Sequence, residues 1–134
     1  MRTLRRGDVR VGQTLPELVV PVSTTLVVST ALASRDYQDV HHDRDAAEMR
    51  GTPDIFMNIL STNGFVGRFV TDWAGPDAVV AAVRIRLGAP NYPNDTMTMS
   101  GEVTAIDGGV VTVAVKGANS FGDHVTGEVE VWLP

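Results

Sequence analysis

The sequence predicts an α+β domain in which an antiparallel sheet curls around one long apolar helix, and three observations carry that prediction. Ile55, Ile59, Val66, Phe69, Val70 and Trp73 recur at helical spacing, with Phe56 and Leu60 widening the stripe. From Val79 onward the apolar period shortens from about 3.6 residues to about 2, the signature of half-buried strands. Asp107-Gly108-Gly109 lies between two such alternating runs and reads as a hairpin turn.

Taken in order, the chain begins with a mixed, charged segment ending in Val11-Gly12-Gln13-Thr14-Leu15-Pro16-Glu17, a turn-like lead into a strand. Leu18-Val19-Val20 and Thr24 to Val28 are β-branched runs broken by Pro21, which points to a first strand that is irregular or lies at a sheet edge. Ser29 can cap a short helix over Thr30 to Ser34. Asp43 is a good N-cap for a helix over Arg44 to Arg50, with Asp45 in its first turn and Gly51 as the residue that ends it. Thr52-Pro53-Asp54 then opens the long helix: Thr52 caps, Pro53 fits the first helical position and Asp54 favours the positive end of the dipole.

Gly64 and Gly67 interrupt this helix, each costing about 1 kcal/mol relative to alanine. A sheet backbone passing close by would account for both, a kink being the other reading. Beyond it, Val83, Ile85 and Leu87 alternate with Arg84 and Arg86. A loop rich in Pro and Asn follows, and then Met97, Met99, Gly101, Val103 and Ala105 alternate with polar residues. Val111, Val113 and Val115, and after a further turn Val125, Val129 and Val131, repeat the pattern. Four strands in antiparallel succession are expected.

With 134 residues the chain suits one domain, over residues 1–134, able to bury its own core. The absence of cysteine excludes disulfides and thiolate chemistry, and a net charge of −5 argues against a nucleic-acid surface. Arg2, Arg5 and Arg6 ahead of a fairly apolar Leu18 to Val28 imitate a secretory leader. Asp8, Glu17, Pro21 and the hydroxyl run Ser23 to Thr25 argue against one, and no run is long enough for a membrane span, so a cytoplasmic protein is expected.

The ionisable residues concentrate in Asp36-Tyr37-Gln38-Asp39-Val40-His41-His42-Asp43. Asp36 and His41 are too far apart in sequence to be neighbours on one helix face, so they converge only if the backbone turns between them. Converged, they could hold a water between an acceptor and a group that exchanges protons near neutral pH. On the residues alone, a capping Asp and a packed His explain the pair equally well. His42 should point elsewhere, Asp39 suits the turn and Asp43 the helix cap. A metal site from Asp39, His41, His42 and Asp43 is the rival reading, disfavoured because adjacent side chains rarely converge on one ion. His124 lies among Thr126, Glu128 and Glu130 and reads as solvated.

This element order and the spacing of Asp36, Val40, His41 and Asp43 resemble the MaoC-like, or hydratase 2, family of hotdog-fold enoyl-CoA hydratases. Gln38 stands where that family usually has Asn, and Asp39 where it has Pro, which leaves the turn less rigid. The resemblance runs from about residue 9 to the C-terminus. More narrowly, Arg35 to Asp43, Asp54 to Leu60 and Val70-Thr71-Asp72-Trp73-Ala74-Gly75-Pro76 are similar to the small MaoC-like subunits of actinobacterial heteromeric hydratases acting on steroid side-chain enoyl-CoA thioesters.

The resemblance implies a single hotdog domain and hydration of a trans-2-enoyl-CoA thioester, with Asp36 and His41 as catalytic residues. It implies a second hotdog subunit as partner, in a heteromer or a homodimer, and no cofactor or metal beyond the coenzyme A of the substrate. Backbone N–H groups near Asp54, Ile55 and Phe56 would stabilise the thioester oxyanion at the start of the long helix. Arg84, Arg86 and Lys116 are candidates for the coenzyme A phosphates, although solvated strand charges are commoner. Met97 and Met99 could line an acyl tunnel or simply pack the core. Two alternatives remain: a hotdog thioesterase, whose catalytic acid usually lies on the long helix, and a non-catalytic partner domain.

Overall fold

A computed structural model describes residues 1–134. After a short 3-10 turn at Arg6–Asp8 come β1 (Leu18–Val22), α1 (Thr24–Ala33), a second 3-10 turn at Asp39–His41, α2 (Arg44–Met49) and α3 (Ile59–Ala74). Then follow β2 (Val79–Leu87), β3 (Asp95–Asp107), β4 (Val110–Asn119) and β5 (Gly122–Trp132). The five strands form one antiparallel sheet in the order β1-β3-β4-β5-β2.

The predicted succession therefore holds for the hairpins β3–β4 and β4–β5 but not for β2, which pairs with β5. Both edges of β3 are already taken, by β1 and β4, so β2 must add at the far side of β5. The chain between β2 and β3 crosses in front of α3 and is pinned there: Met57 N–H donates to Asn91 O at 3.0 Å and Asn94 N–H to Val22 O at 2.8 Å. Pro21 sits in β1, an edge strand, as its missing N–H demands.

The core lies between α3 and the concave face of the sheet. Val66, Phe69, Val70 and Ala74 project from α3 onto Met97, Met99, Val103, Val111, Val113, Val125, Val129 and Val131, all of them buried. Each large side chain among them contributes about 1.5–3 kcal/mol. Met97 and Met99 are wholly enclosed in this core. Where helix and sheet approach most closely the glycine is in the sheet: a Cβ on Gly101 would lie 2.9 Å from the Phe69 ring and 2.9 Å from Ala114 O. Gly64 and Gly67 meet nothing within 4 Å, because the sheet covers the opposite side of α3, so the expected close passage at these two residues does not occur.

Two helix boundaries also differ from expectation. Thr24 to Val28 are helical, not extended, because Ser23 caps α1 by accepting from Leu26 N–H at 3.0 Å and the helix buries Val27 and Ala31. Thr30 Oγ1 satisfies itself on Leu26 O at 2.7 Å, which lets a hydroxyl-rich segment stay helical. The long helix begins at Ile59, not near Pro53. Ile55 and Met57 are buried in an extended connection, and Asn58 is the cap, its Oδ1 accepting from Ser61 N–H at 3.0 Å. The apolar run that imitates a secretory leader is occupied by β1 and α1, with Val20, Val22 and Val27 in the core. No helix is long and apolar enough to cross a membrane.

Candidate active site

α1 ends in a turn that aims Asp36. Asp36 N–H donates to Ala31 O and Arg35 N–H to Leu32 O, both at 3.0 Å, with Arg35 in the left-handed region at φ 56°. This is a Schellman cap with arginine where glycine is usual, a conformation that costs about 1 kcal/mol or more and reverses the chain towards α3. The 3-10 turn Asp39–His41 then brings the imidazole back, so the two side chains meet: Asp36 Oδ2 lies 3.4 Å from His41 Nε2.

His41 is buried, whereas the Asp36 side chain keeps 24 % of its surface exposed. His41 Nδ1 lies 2.7 Å from Phe56 O. A carbonyl can only accept, so Nδ1 carries the proton and the Nε2 lone pair faces Asp36. The Phe56 ring packs edge-on against the imidazole at 5.0 Å between centroids. Asp36 receives Asn58 Nδ2–H on Oδ2 at 3.0 Å and Gln38 N–H on Oδ1 at 3.3 Å. The Asn58 amide, more than any other partner, holds the Asp36 carboxyl below its ordinary range, against a partial desolvation that pushes it up, with help from Gln38 N–H. The carboxylate therefore stays ionised while one face remains open to solvent.

Both groups line a cavity of about 370 Å³, walled also by Phe56, Met57, Ile59, Leu87, Gly88, Ala89 and Pro90. Asn58 and His124 reach it too. Of the donors expected at Asp54, Ile55 and Phe56, the last two are already bonded, and neither Asp54 nor Ile55 lines the cavity. Ile55 N–H is taken by Asp54 Oδ1 at 2.7 Å and Phe56 N–H by Val40 O at 3.2 Å, and Asp54 pairs with Arg44 at 2.8 Å. Because α3 starts six residues later than expected, its uncapped N–H groups are those of Ile59 and Leu60, with the Asn58 N–H beside them.

The other candidates lie away from this cavity. Arg84 bonds Glu130 at 3.0 Å and lies 3.5 Å from Glu128, and Lys116 is 4.0 Å from Asp123. Arg86 and Lys116 both face Thr126 across the strand register on the outer side of the sheet. Asp39 is paired with Arg50 at 2.9 Å, Asp43 caps α2 by accepting from Ala46 N–H at 3.0 Å, and His42 is exposed, so these residues do not gather around a point. On α3 the carboxylate is Asp72, at the far end and bonded to Arg68 at 3.2 Å, which places no acid of that helix near the cavity.

His124 is not solvated. The β4–β5 register shifts between Gly117 and Ala118, so that Val125 and His124 both turn inward, and strict alternation misplaces the ring. Asn58 was legible as a favoured cap three residues before Ser61, but only the fold brings its other end to Asp36.

Residues 9–123 match the family described as MaoC like domain. The beta subunit of the 3-oxo-4,17-pregnadiene-20-carboxyl-CoA hydratase of Mycobacterium tuberculosis is 57 % identical over 121 residues, 90 % of this chain and 94 % of that one. The crystal structure of the ChsH1-ChsH2 complex from the same organism contains a chain that superposes with a TM-score of 0.92 at 55 % identity, covering 93 % of this chain and 98 % of that one. The unliganded R-hydratase PhaJ1 from Pseudomonas aeruginosa matches with a TM-score of 0.90 at 20 % identity over 98 % of this chain and 86 % of that one, a likeness of fold.

Proposed function

The chain belongs to the MaoC-like domain family, and from that premise we propose that it is an enoyl-CoA hydratase subunit in which Asp36 and His41 activate water for addition to a trans-2-enoyl-CoA thioester. The observation that carries this reading is the facing of Asp36 Oδ2 and His41 Nε2 across 3.4 Å at the wall of a cavity.

A water seated between the two acceptors donates one hydrogen to each. Its oxygen attacks the β-carbon, Asp36 draws off a proton, and the π electrons move to the α-carbon and onto the thioester oxygen. The N–H groups at the start of α3, beside Asn58 and Ile59, meet that oxyanion, aided by the helix dipole. The pair then returns one proton to the α-carbon, so that one water is added overall. Phe56 O fixes the imidazole tautomer and Asn58 fixes the carboxylate, which leaves little reorganisation for the reacting step.

The 57 % identical relative is named for a steroid side-chain thioester, and its identity spans 90 % of this chain, so the acyl group here is of the same class. The chain works with a second hotdog subunit, as the ChsH1-ChsH2 complex does. Arg86, the one strand arginine of the pair without a carboxylate beside it, is the basic candidate left free for a coenzyme A phosphate, with Lys116 on the other side of Thr126. A cytoplasmic location suits such a substrate. The test is co-purification with the partner chain followed by hydration assays on short, long and steroidal enoyl-CoA thioesters. Turnover of the steroidal thioester is expected; hydration of none of them would overturn the reading.

A further inference from the structure

His124 is a buried titratable side chain with no part in the chemistry above. It is 2 % exposed, lines the same cavity as Asp36 and His41, and has both ring nitrogens engaged. Nδ1 donates to Ala89 O at 2.6 Å, so Nε2 accepts from the Thr62 hydroxyl at 2.8 Å. Burial lowers its pKa, which keeps the ring in the neutral form this arrangement needs. With neither nitrogen free, His124 cannot exchange a proton with a substrate.

The elements it joins are informative. The Gly88-Ala89-Pro90 wall of the cavity hangs from β5 by backbone bonds, Gly88 N–H to His124 O and Ala89 N–H to Asp123 O, both 2.8 Å. The His124 ring carries that wall across to Thr62, in the first turn of α3. Thr62 Oγ1 also lies 3.4 Å from Asn58 O, and Asn58 grips Asp36. The ring thus spans the gap between the rim of the cavity and the helix end that holds the reacting pair.

Resting on the hydratase reading, we propose that His124 is a specificity-determining positioning residue: a buried cross-tie that sets the width between the Gly88–Pro90 wall and the Asp36–His41 pair, and so the bulk of acyl group that seats there. Its backbone bonds are retained in any side-chain variant, so the wall stays attached to β5 and loses only its tie to α3.

The experiment uses the two-chain complex, with 3-oxo-4,17-pregnadiene-20-carboxyl-CoA as the bulky probe and but-2-enoyl-CoA as the small one. His124→Leu removes both bonds, and Thr62→Val removes one bond with little change of shape. His124→Asn restores a donor near the Nδ1 position, facing Ala89 O. His124→Leu is expected to raise KM for the bulky probe about tenfold, the scale of one buried hydrogen bond, and KM for the small probe less than about threefold, with kcat of both largely kept. Thr62→Val should shift the ratio in the same direction, and His124→Asn should recover part of it. Equal losses on both probes, a fall in kcat with KM unchanged, or a Thr62→Val complex like wild type would overturn the proposal. Should His124→Leu fail to fold, Thr62→Val carries the test together with nitrogen NMR of the wild-type ring. A neutral Nδ1–H tautomer supports the tie and an Nε2–H tautomer contradicts it. A wild-type complex that converts neither probe would sink the hydratase reading instead, while the ring tautomer would still report on the tie.

Discussion

Asn58 donates from its side-chain amide to Asp36 Oδ2 at 3.0 Å while its Oδ1 accepts from Ser61 N–H at 3.0 Å, so one residue both starts the central helix and holds the Asp36 carboxylate. The same amide reaches Ser34 Oγ at 3.0 Å, which ties the end of α1 into the arrangement. Site geometry and helix initiation are therefore coupled, and substitutions at this position should separate them.

Asn58→Ser keeps an oxygen for the cap but loses the amide hydrogens. Stability should stay within about 1 kcal/mol of wild type, kcat should fall by about tenfold or more, and the acid limb of the rate profile should move up in pH as Asp36 loses the partner that most lowers its pKa. Asn58→Ala should lose the cap as well, costing about 1 kcal/mol more. Urea unfolding alongside the pH profile checks both.

Asp36→Asn and His41→Ala should each reduce turnover by about a thousandfold or more with the fold retained, if each removes one of the two acceptors that the proposed mechanism sets on the attacking water. Steady-state rates with circular dichroism of the same samples decide this. Near-normal hydration by either variant would remove the pair from the chemistry.

The fold makes a paired prediction at its glycines. Gly101→Ala places a methyl against Phe69 and Ala114 O and should cost about 1–3 kcal/mol, whereas Gly64→Ala meets open space in the α3 interior and should gain about 0.5–1 kcal/mol. Thermal melts of both variants read the contrast directly.

His124 sets a pH dependence of stability. Its folded pKa lies below the ordinary value, so as pH falls through about 6.5 the unfolded chain takes up a proton that the folded chain refuses. Stability is fully present above that pH and declines below it until the folded ring itself titrates. The corresponding loss from Asp36 comes at lower pH, beginning as the pH falls through the ordinary carboxylate range and complete once it is below Asp36's own depressed value. Urea midpoints from pH 7.5 to 5 should fall for wild type and fall less steeply for His124→Leu.

How much of this was legible in the sequence depended on whether a feature is local. The spacing of Asp36 and His41, the cap at Asp43 and the strand alternation from Val83 to Val131 are set within a few residues, and the structure shows the two side chains converging, the cap formed and the strands in place. The start of α3 was misplaced because Thr52-Pro53-Asp54 carries good helix-start chemistry, while the connection Asp54 to Met57 is held extended by distant partners, Val40 O and Asn91 O. Thr24 to Val28 look like a strand by composition, and only the Ser23 cap and burial against the core make them helical. His124 was hidden by a register shift, which leaves no mark on composition. The Arg35 turn shows the same limit: a left-handed arginine is adopted because the fold over-determines it.

The most direct test of the central claim is the fate of solvent oxygen. The purified two-chain complex is incubated with a steroidal enoyl-CoA thioester in heavy-oxygen water and the products are analysed by mass. Asp36 and His41 acting on one water predict a single labelled oxygen in the hydroxyl at the β-carbon, with the thioester intact and the label lost from both variants. Release of free coenzyme A with the label in a carboxylate would instead show thioester hydrolysis and contradict the account.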